Sequence, residues 1–323
     1  MERNEAMWTR LFVLIFAAVF SLQSAGAVEN DNQLKGRISI SGAWALYPMA
    51  IKWAEEFRKI HPDVNIDIAA GGAGKGMADA LSKTVDLGMV SRSIYPIETE
   101  KGAWPVPVVK DAVAPVFNPS NPFFDQICKR GLSREKFIKC FLSGKELLWK
   151  DILGGNSDAE IHVYSRSDAC GAAETWAAYL GGKQEDIEAV GIYGDPGLSE
   201  AVRKDSLGMG FNNINYLYDA KTLKPIAGVW PLPIDINNNG KIDPEENFYA
   251  DRNSIITAIK DGRYPSPPAR ELYFVSGGKP TRPEVIEFLK WVMTEGQQFA
   301  PDAGYIPVSQ EKLDESLKNL QGK

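Results

Sequence analysis

From Ile38 onward the chain alternates short apolar runs with stretches of helical period. ISISG at 38–42 reads as a strand ending in a glycine turn. The segment 48–60 then carries Ala50, Trp53, Ala54, Phe57 and Ile60 at three- and four-residue spacing, one face of a helix, and His61-Pro62 stops it. VNIDIAA at 64–70 puts Val64, Ile66 and Ile68 on one side of a second strand, a helix is predicted over 75–83, and VDLGMVSR at 85–92 repeats the strand-to-turn step. This rhythm predicts βαβ units and a mostly parallel sheet.

The segment 111–121 (DAVAPVFNPSN) is predicted to run as a strand into a Pro/Asn turn. A second series follows in HVYSRSDACGAAETWAAYL, VGIYGDPGLSEAVRKD and LGMGFNNINYLY. Proline-rich RYPSPPAR at 263–270 precedes a late strand, LYFVS, and an amphipathic helix over 283–295 that resemble the first set of elements. The architecture implied is α/β, two βα lobes joined by two crossings with a central cleft. Lobe I is 28–113 plus 270–323, lobe II is 114–269, and the hinge lies near Val113 and Pro268.

Composition narrows the class. At 323 residues, 44% hydrophobic and 24% charged, the chain is an ordinary globular protein with room for two cores. A net charge of -6 argues against nucleic acid or an anionic membrane as partner. Arg3 and Arg10 precede an apolar run at 11–22, followed by Ser24-Ala25-Gly26-Ala27, the pattern of a cleavable signal peptide covering 1–27. A retained anchor is the alternative, although the run is short for a bilayer. The expected location is therefore periplasmic or extracellular. Three cysteines suggest either one pair, Cys128 with Cys140, or three reduced thiols. With His61 and His162 the only histidines, a transition-metal centre is not expected.

Four strand-to-helix turns share a chemistry: SGAWALYP at 41–48, GGAGKGM at 71–77, MVSRSIYP at 89–96 and SRSDACGAAETW at 165–176. The turn at 71–77 is similar to half of a nucleotide loop, but Ala69 stands where the first glycine belongs and Gly76 replaces the hydroxyl residue after Lys75. What remains is a helix N-terminus whose free N–H groups and dipole suit an anion. In open α/β sheets such turns converge at the carboxyl ends of the strands. Gly, Ser and Asp also serve any βα loop as caps, but four such turns, two with an arginine beside a serine, point to a small anion site.

These residues resemble a known family. The run 38–94, especially Lys52-Trp53-Ala54-Glu55-Glu56 and Thr84-Val85-Asp86-Leu87-Gly88, is similar to the periplasmic phosphate-binding proteins of ABC transporters. Residues 165–175 resemble their R-S-D-G-S-G-T loop, and FNPSNP and GYIPVS add to the likeness. The resemblance implies a type II periplasmic-binding-protein fold that closes on phosphate and delivers it, as a monomer, to an ABC permease in the membrane. The implied ligand contacts are Ala43, Trp44, Ala45, Ala73, Gly74, Lys75, Ser91, Arg166, Cys170, Gly171 and Ala172.

The departures concern hydroxyls. Trp44 and Ala45 stand on the first loop where the family places hydroxyls, Ala73 replaces the second-loop serine, and Ser91 replaces an aspartate that takes the proton of hydrogen phosphate in some members. Cys170 and Ala172 replace the serine and threonine of the fourth loop. Arg166 still offers a bidentate charge-assisted pair, and backbone N–H groups at 73–75, 91 and 171–173 can still donate. Each lost hydroxyl removes about 0.5–1.5 kcal/mol. A molybdate-, tungstate- or sulfate-like anion or a small carboxylate is thus a competing ligand, and sensing a competing role. Cys170 at a helix start could be an activated thiolate, yet no histidine is near it in sequence to act as a base, so packing or ligand contact is expected rather than an enzyme.

DINNNGKIDPEE at 235–246 matches a twelve-residue calcium loop. Asp235, Asn237, Asn239, the Lys241 carbonyl, Asp243 and Glu246 are the expected ligands, with Gly240 at the turn. PLPI before it is not helical, so a structural staple is expected rather than a sensor; an Asx-rich turn that binds nothing is the alternative.

Overall fold

Alternation of Ile38 and Ile40 with Arg37 and Ser39 makes the first strand, β1 (Gly36–Gly42), with both isoleucines buried. α1 (Tyr47–Ile60) buries Met49, Ala50, Trp53, Ala54 and Phe57 on one face; its end is capped by the His61 N–H on the Phe57 carbonyl, and Pro62 prevents continuation. The computed structural model describes residues 33–322, so the expected export segment at 1–27 lies outside the described residues.

The first half continues through β2 (Val64–Ala70), α2 (Ala73–Leu81), β3 (Leu87–Val90), α3 (Pro96–Glu100) and the long β4 (Ala103–Phe117). The second half holds α4 (Phe124–Arg130), α5 (Arg134–Leu142), α6 (Trp149–Leu153), β5 (His162–Arg166), α7 (Gly171–Leu180), β6 (Val190–Ile192), α8 (Gly194–Lys204), β7 (Gly208–Asn213), β8 (Trp230–Pro231) and α9 (Arg252–Lys260). The chain returns along β9 (Ala269–Gly277) and ends with α10 (Pro283–Met293), β10 (Ile306–Pro307) and α11 (Gln310–Gln321).

The sheet order is β2-β1-β3-β9-β4-β7-β5-β6, with β8 and β10 both on β4. The outer pairs β1–β2, β1–β3, β5–β6 and β5–β7 are parallel, as βαβ units require. The centre is antiparallel, because the chain leaves the first half along β4 and comes back along β9. β4 begins well before the predicted 111: Pro105 and Pro107 hide it in the sequence. Before Val109 its one partner is β9, and a register shift between Pro107 and Val109 accommodates the residues that lack an N–H. Pairing with β9 ends at Ala112↔Ala269 and pairing with β7 begins at Val113↔Asn213, so one strand serves both halves.

Aromatic clusters hold each half. On one side Trp53 meets Phe274 at 5.9 Å and Phe57 meets Phe288 at 5.2 Å. On the other Trp176 packs against Phe137 at 5.1 Å and Phe141 at 5.6 Å. Such pairs add about 0.5–1.5 kcal/mol each beyond the area they bury. Among the described residues no helix is long and apolar enough to cross a membrane.

Three of the candidate loops are locked together where β1, α2 and β3 meet, because Gly42 and Gly76 let their backbones touch. A Cβ at Gly76 would lie 2.3 Å from the Met89 carbonyl and 2.9 Å from the Gly42 Cα. Overpacking of this kind costs about 1–3 kcal/mol. Gly76→Ala is expected to lower the melting temperature in calorimetry; an unchanged transition contradicts the close approach.

Candidate functional site

All four turns meet through their backbones. The Gly71 and Gly72 N–H groups donate to the Gly42 carbonyl at 2.8 and 3.0 Å, and Ala43 N–H donates to the Met89 carbonyl at 2.9 Å. Gly74 N–H donates to the Ala169 carbonyl at 3.1 Å, joining the start of α2 to the turn before α7. Gly72 has φ +91°, open to glycine, and a Cβ there would meet the Ala169 carbonyl and the Asp168 carboxylate. Ser91 packs so closely on Gly171 that a Cβ at that position would lie 2.2 Å from the Ser91 carbonyl. Ala43, Ala73, Gly74, Ser91, Cys170, Gly171 and Ala172 are thereby gathered around the facing N-termini of α2 and α7, whose first-turn N–H groups lack intrahelical partners. Ala45 is buried nearby in the first turn, and its carbonyl accepts from Tyr305 Oη at 2.7 Å.

Two expected contacts stand apart. Lys75 is exposed and its ammonium is taken by Asp79 one turn on, while Ser41 Oγ donates to the same carboxylate at 2.6 Å. Trp44 lays its indole on the backbone of Gly194 and meets Tyr193 edge-on at 6.3 Å; its carbonyl accepts from Tyr216 Oη at 3.1 Å, and its Nε1–H is buried without a partner.

Arg166 is almost wholly engaged by carboxylates. Its Nε donates to Asp168 Oδ1 at 2.8 Å, Nη2 to Asp168 Oδ2 at 2.5 Å and Nη1 to Asp195 Oδ2 at 2.6 Å, and its side chain is 1% exposed. Burial opposes its charge and the carboxylates, Asp195 foremost, restore it, so the guanidinium is held fully protonated. Asp195 is pushed up by burial and held back by Arg166 and Arg270. Asp168 also accepts from Gly194 N–H at 3.2 Å, which ties the start of α8 to the cluster. In the sequence Asp168 stands out only as part of the fourth turn; 29 positions separate Asp195 from Arg166, and no local pattern links them. On the flank, Arg92 pairs with Glu98 at 2.6 Å and Glu174 at 3.0 Å, and Tyr95 Oη donates to Glu174. Beside them, Arg92, Ser93, Glu174, Thr175, Arg270 and Tyr273 line a cavity of about 670 Å³.

All three cysteines are free thiols, so Cys128 and Cys140 are not joined. Cys170 caps α7, accepting from Ala173 N–H at 3.4 Å; burial pushes its thiol up to about 12 against the opposing pull of Arg166.

In the loop 235–246, Asn238 and Gly240 take left-handed φ values of 58° and 82°. Asp235 is 1% exposed and accepts from the N–H groups of Asn239 and Gly240 at 3.1 and 2.9 Å; Glu246 accepts from those of Ile236, Asn237 and Asp243. Lys241 Nζ sits 2.6 Å from Asp243 Oδ1 and, with the Asn237 and Asn239 amides, lowers that carboxyl to about 2. Among the described residues no three His, Cys, Asp or Glu side chains are grouped as a metal cluster. The carboxylates of this loop face backbone amides and an ammonium instead.

The chain matches the PBP superfamily domain over residues 27–295 and belongs to that superfamily. It is 24% identical over 302 residues to the phosphate-binding protein PstS of Bacillus subtilis (strain 168), covering 92% of this chain and 89% of the relative. It is 23% identical over 300 residues to the PstS of Staphylococcus aureus (strain USA300), covering 90% and 84%. Among solved structures it is similar to a candidate phosphate ABC transporter substrate-binding protein of Clostridium perfringens with bound phosphate, at 22% identity and TM-score 0.68, covering 85% of this chain and 100% of that one. An ABC-type phosphate transport receptor of Vibrio cholerae matches at 19% identity and TM-score 0.60, covering 84% and 100%. The fold is that of the type II periplasmic binding proteins, a curled mixed α/β sheet.

The thiol geometry gives a direct check. With Cys170 and Cys140 both buried and both held near 12, and Cys128 half-buried and near 11, a disulfide-exchange reagent at pH 8 is expected to label Cys128 first and the other two only on unfolding. Rapid labelling of native Cys170 contradicts its protonated, packed state.

Proposed function

We propose that this chain is an exported solute-binding protein that captures hydrogen phosphate in its cleft and delivers it to an ABC permease as a monomer, without catalysing a reaction. The observation that most supports it is the meeting of two helix N-termini from opposite halves of the sheet, α2 through Gly74 on Ala169 and α7 through Gly171 on Ser91. Aligned first-turn amides form a ready anion site, and those of Ala73, Gly171 and Ala172 stand in for the missing hydroxyls. The relatives bear the name phosphate-binding protein and match over most of both chains, which supports the same ligand. In this reading lobe I is 28–113 with 270–323, lobe II is 114–269, and they bend about the strand changeover. A thiol held protonated at Cys170 supports binding rather than nucleophilic chemistry.

Charge favours phosphate over sulfate. Arg166 and Arg270 are outnumbered by Asp111, Asp168 and Asp195 in the buried cluster. An anion that carries a proton can donate it to a carboxylate of Asp168 or Asp195, whereas sulfate meets those oxygens only as repulsion.

We further propose one structural calcium ion in the loop 235–246, held by Asp235, Asn237, Asn239, the Lys241 carbonyl, Asp243 and Glu246. Its entry displaces the Lys241 ammonium from Asp243, so affinity is modest.

Titration of the ligand-stripped protein by tryptophan fluorescence at pH 7.5 is expected to show saturable phosphate binding and sulfate binding weaker by about tenfold or more. Arg166→Lys, which keeps the charge and loses the planar fork, is expected to weaken phosphate by a further factor of about ten. Equal affinity for the two anions, or binding of no tetrahedral anion, contradicts the reading. For calcium, the melting temperature of the chelated protein is expected to rise with added calcium and to stay unchanged in Asp235→Ala; no rise in the native protein rejects the staple.

A further inference from the structure

Where β4 passes from β9 to β7, a second charged pair is buried behind the anion loop. Asp111 and Arg270 are register partners on the two crossing strands, Asp111 is 0% exposed, and Arg270 Nε lies 3.2 Å from Asp111 Oδ1. Neither oxygen of Asp111 nor the Arg270 Nε has a well-aligned hydrogen-bond partner, so charge is the main tie between the two. The other nitrogens of Arg270 are committed elsewhere. Nη1 donates to the carbonyl of Gly171, the first residue of α7, at 3.1 Å, and Nη2 donates to Asn213 Oδ1. Asn213 Nδ2 in turn donates to Asp195 Oδ1 at 2.5 Å, and Asp195 Oδ2 accepts from Arg166. An unbroken line of contacts therefore runs from a carboxylate at the strand changeover to the arginine of the anion loop.

We propose that Asp111 and Arg270 are positioning residues that couple proton uptake at the strand changeover to anion capture, so that phosphate binding draws a proton onto Asp111. The proposal rests on the phosphate reading given above. The groups facing Asp111 are Arg270 from β9, Asp195 from α8 and the Tyr305 phenol from the segment before β10. Neighbouring Lys110 instead approaches Glu271, at 3.7 Å. While Asp111 is ionised, it and Asp195 share the one Arg270 charge. Once Asp111 is neutral, that charge acts undivided on Asp195, Asn213 and the Gly171 carbonyl, and the potential at the anion loop becomes more positive. A bound anion favours the same neutral state by repelling the carboxylate, and linkage makes the two effects equal. Burial, opposed by Arg270 and aided by Asp195, raises Asp111 to about 6, within the range where an exported protein meets changing pH.

The direction of the stability effect follows. A carboxyl raised above its ordinary value binds its proton more tightly in the folded state, so its contribution is fully present below about pH 4 and is lost as pH rises through about 6. Asp111→Asn is permanently neutral. It is expected to melt with the native protein at low pH and above it at pH 7.5, which also shows that the variant folds.

The deciding experiment is calorimetric phosphate titration of the native protein and Asp111→Asn between pH 5 and 8. Phosphate's own titration enters both proteins equally and cancels in the ratio of their dissociation constants. That ratio, native over variant, is expected to be near one at pH 5 and to rise at least about fivefold by pH 7.5, the lower end of typical couplings between linked sites. The native protein alone, run near pH 6.5 in buffers of different ionisation enthalpy, is expected to take up a fraction of a proton beyond that due to phosphate. Parallel profiles with no excess proton uptake overturn the relay and leave the phosphate reading standing. Failure of both proteins to bind phosphate at every pH overturns the reading and the coupling with it.

Discussion

The Arg166 guanidinium, held between Asp168 and Asp195 beneath the fourth turn, is the interaction on which the rest of the site depends. Removing one member of such a buried set leaves a charge without compensation, at a cost of about 3–5 kcal/mol. Its reach exceeds its own contacts. Asp168 fixes the Gly194 amide at the start of α8, the Ala169 carbonyl next to it receives Gly74 from α2, and Asp195 anchors Asn213 at the end of β7. Two helix starts and one strand end are tied to one ion cluster, so in the proposed reading the amides that face an anion are set before it arrives.

That arrangement accounts for the missing hydroxyls. A site built from hydroxyl side chains tolerates some distance between its loops, because each side chain can reach. A site built from backbone amides requires the loops themselves to approach, and small residues permit it: Ala43, Ala45, Ala73 and Ala172 are all buried, and at Gly171 even a methyl group would collide with Ser91. Trp44 packs its ring against Gly194 at the start of α8, and its buried Nε1–H has no partner. In the proposed reading, the excess of carboxylates over arginines then shifts selectivity toward an anion that carries its own proton.

Much of this is legible in the sequence, and the boundary of legibility is physical. The 3.6 and 2.0 periodicities locate α1, β1 and β2 because each buries one clean face. The four turns are visible because close backbone approach leaves a signature of Gly, Ala and Ser. Pro105 and Pro107 conceal the first half of β4, since the pattern for a strand assumes N–H groups that proline lacks. Helices α4, α5 and α6 give no clear periodic signal because their apolar positions serve a shared aromatic core around Trp149 and Trp176 rather than a simple stripe. Of the partners of Arg166, Asp168 shows only as part of the fourth turn, while Asp195 and the Asp111–Arg270 pair leave no trace. Asp111 and Arg270 are brought together by strands adjacent only in the folded sheet, and nothing local in either segment announces a buried charge.

The most direct test of the account is a crystal structure grown with phosphate. It is expected to place the anion's oxygens within hydrogen-bond distance of the N–H groups of Ala73, Gly171 and Ala172, with Arg166 still paired to Asp168 and Asp195. An anion bound away from the two helix N-termini, or one that has drawn Arg166 off both carboxylates, would contradict the claim that fixed backbone amides, organised by that ion cluster, do the holding.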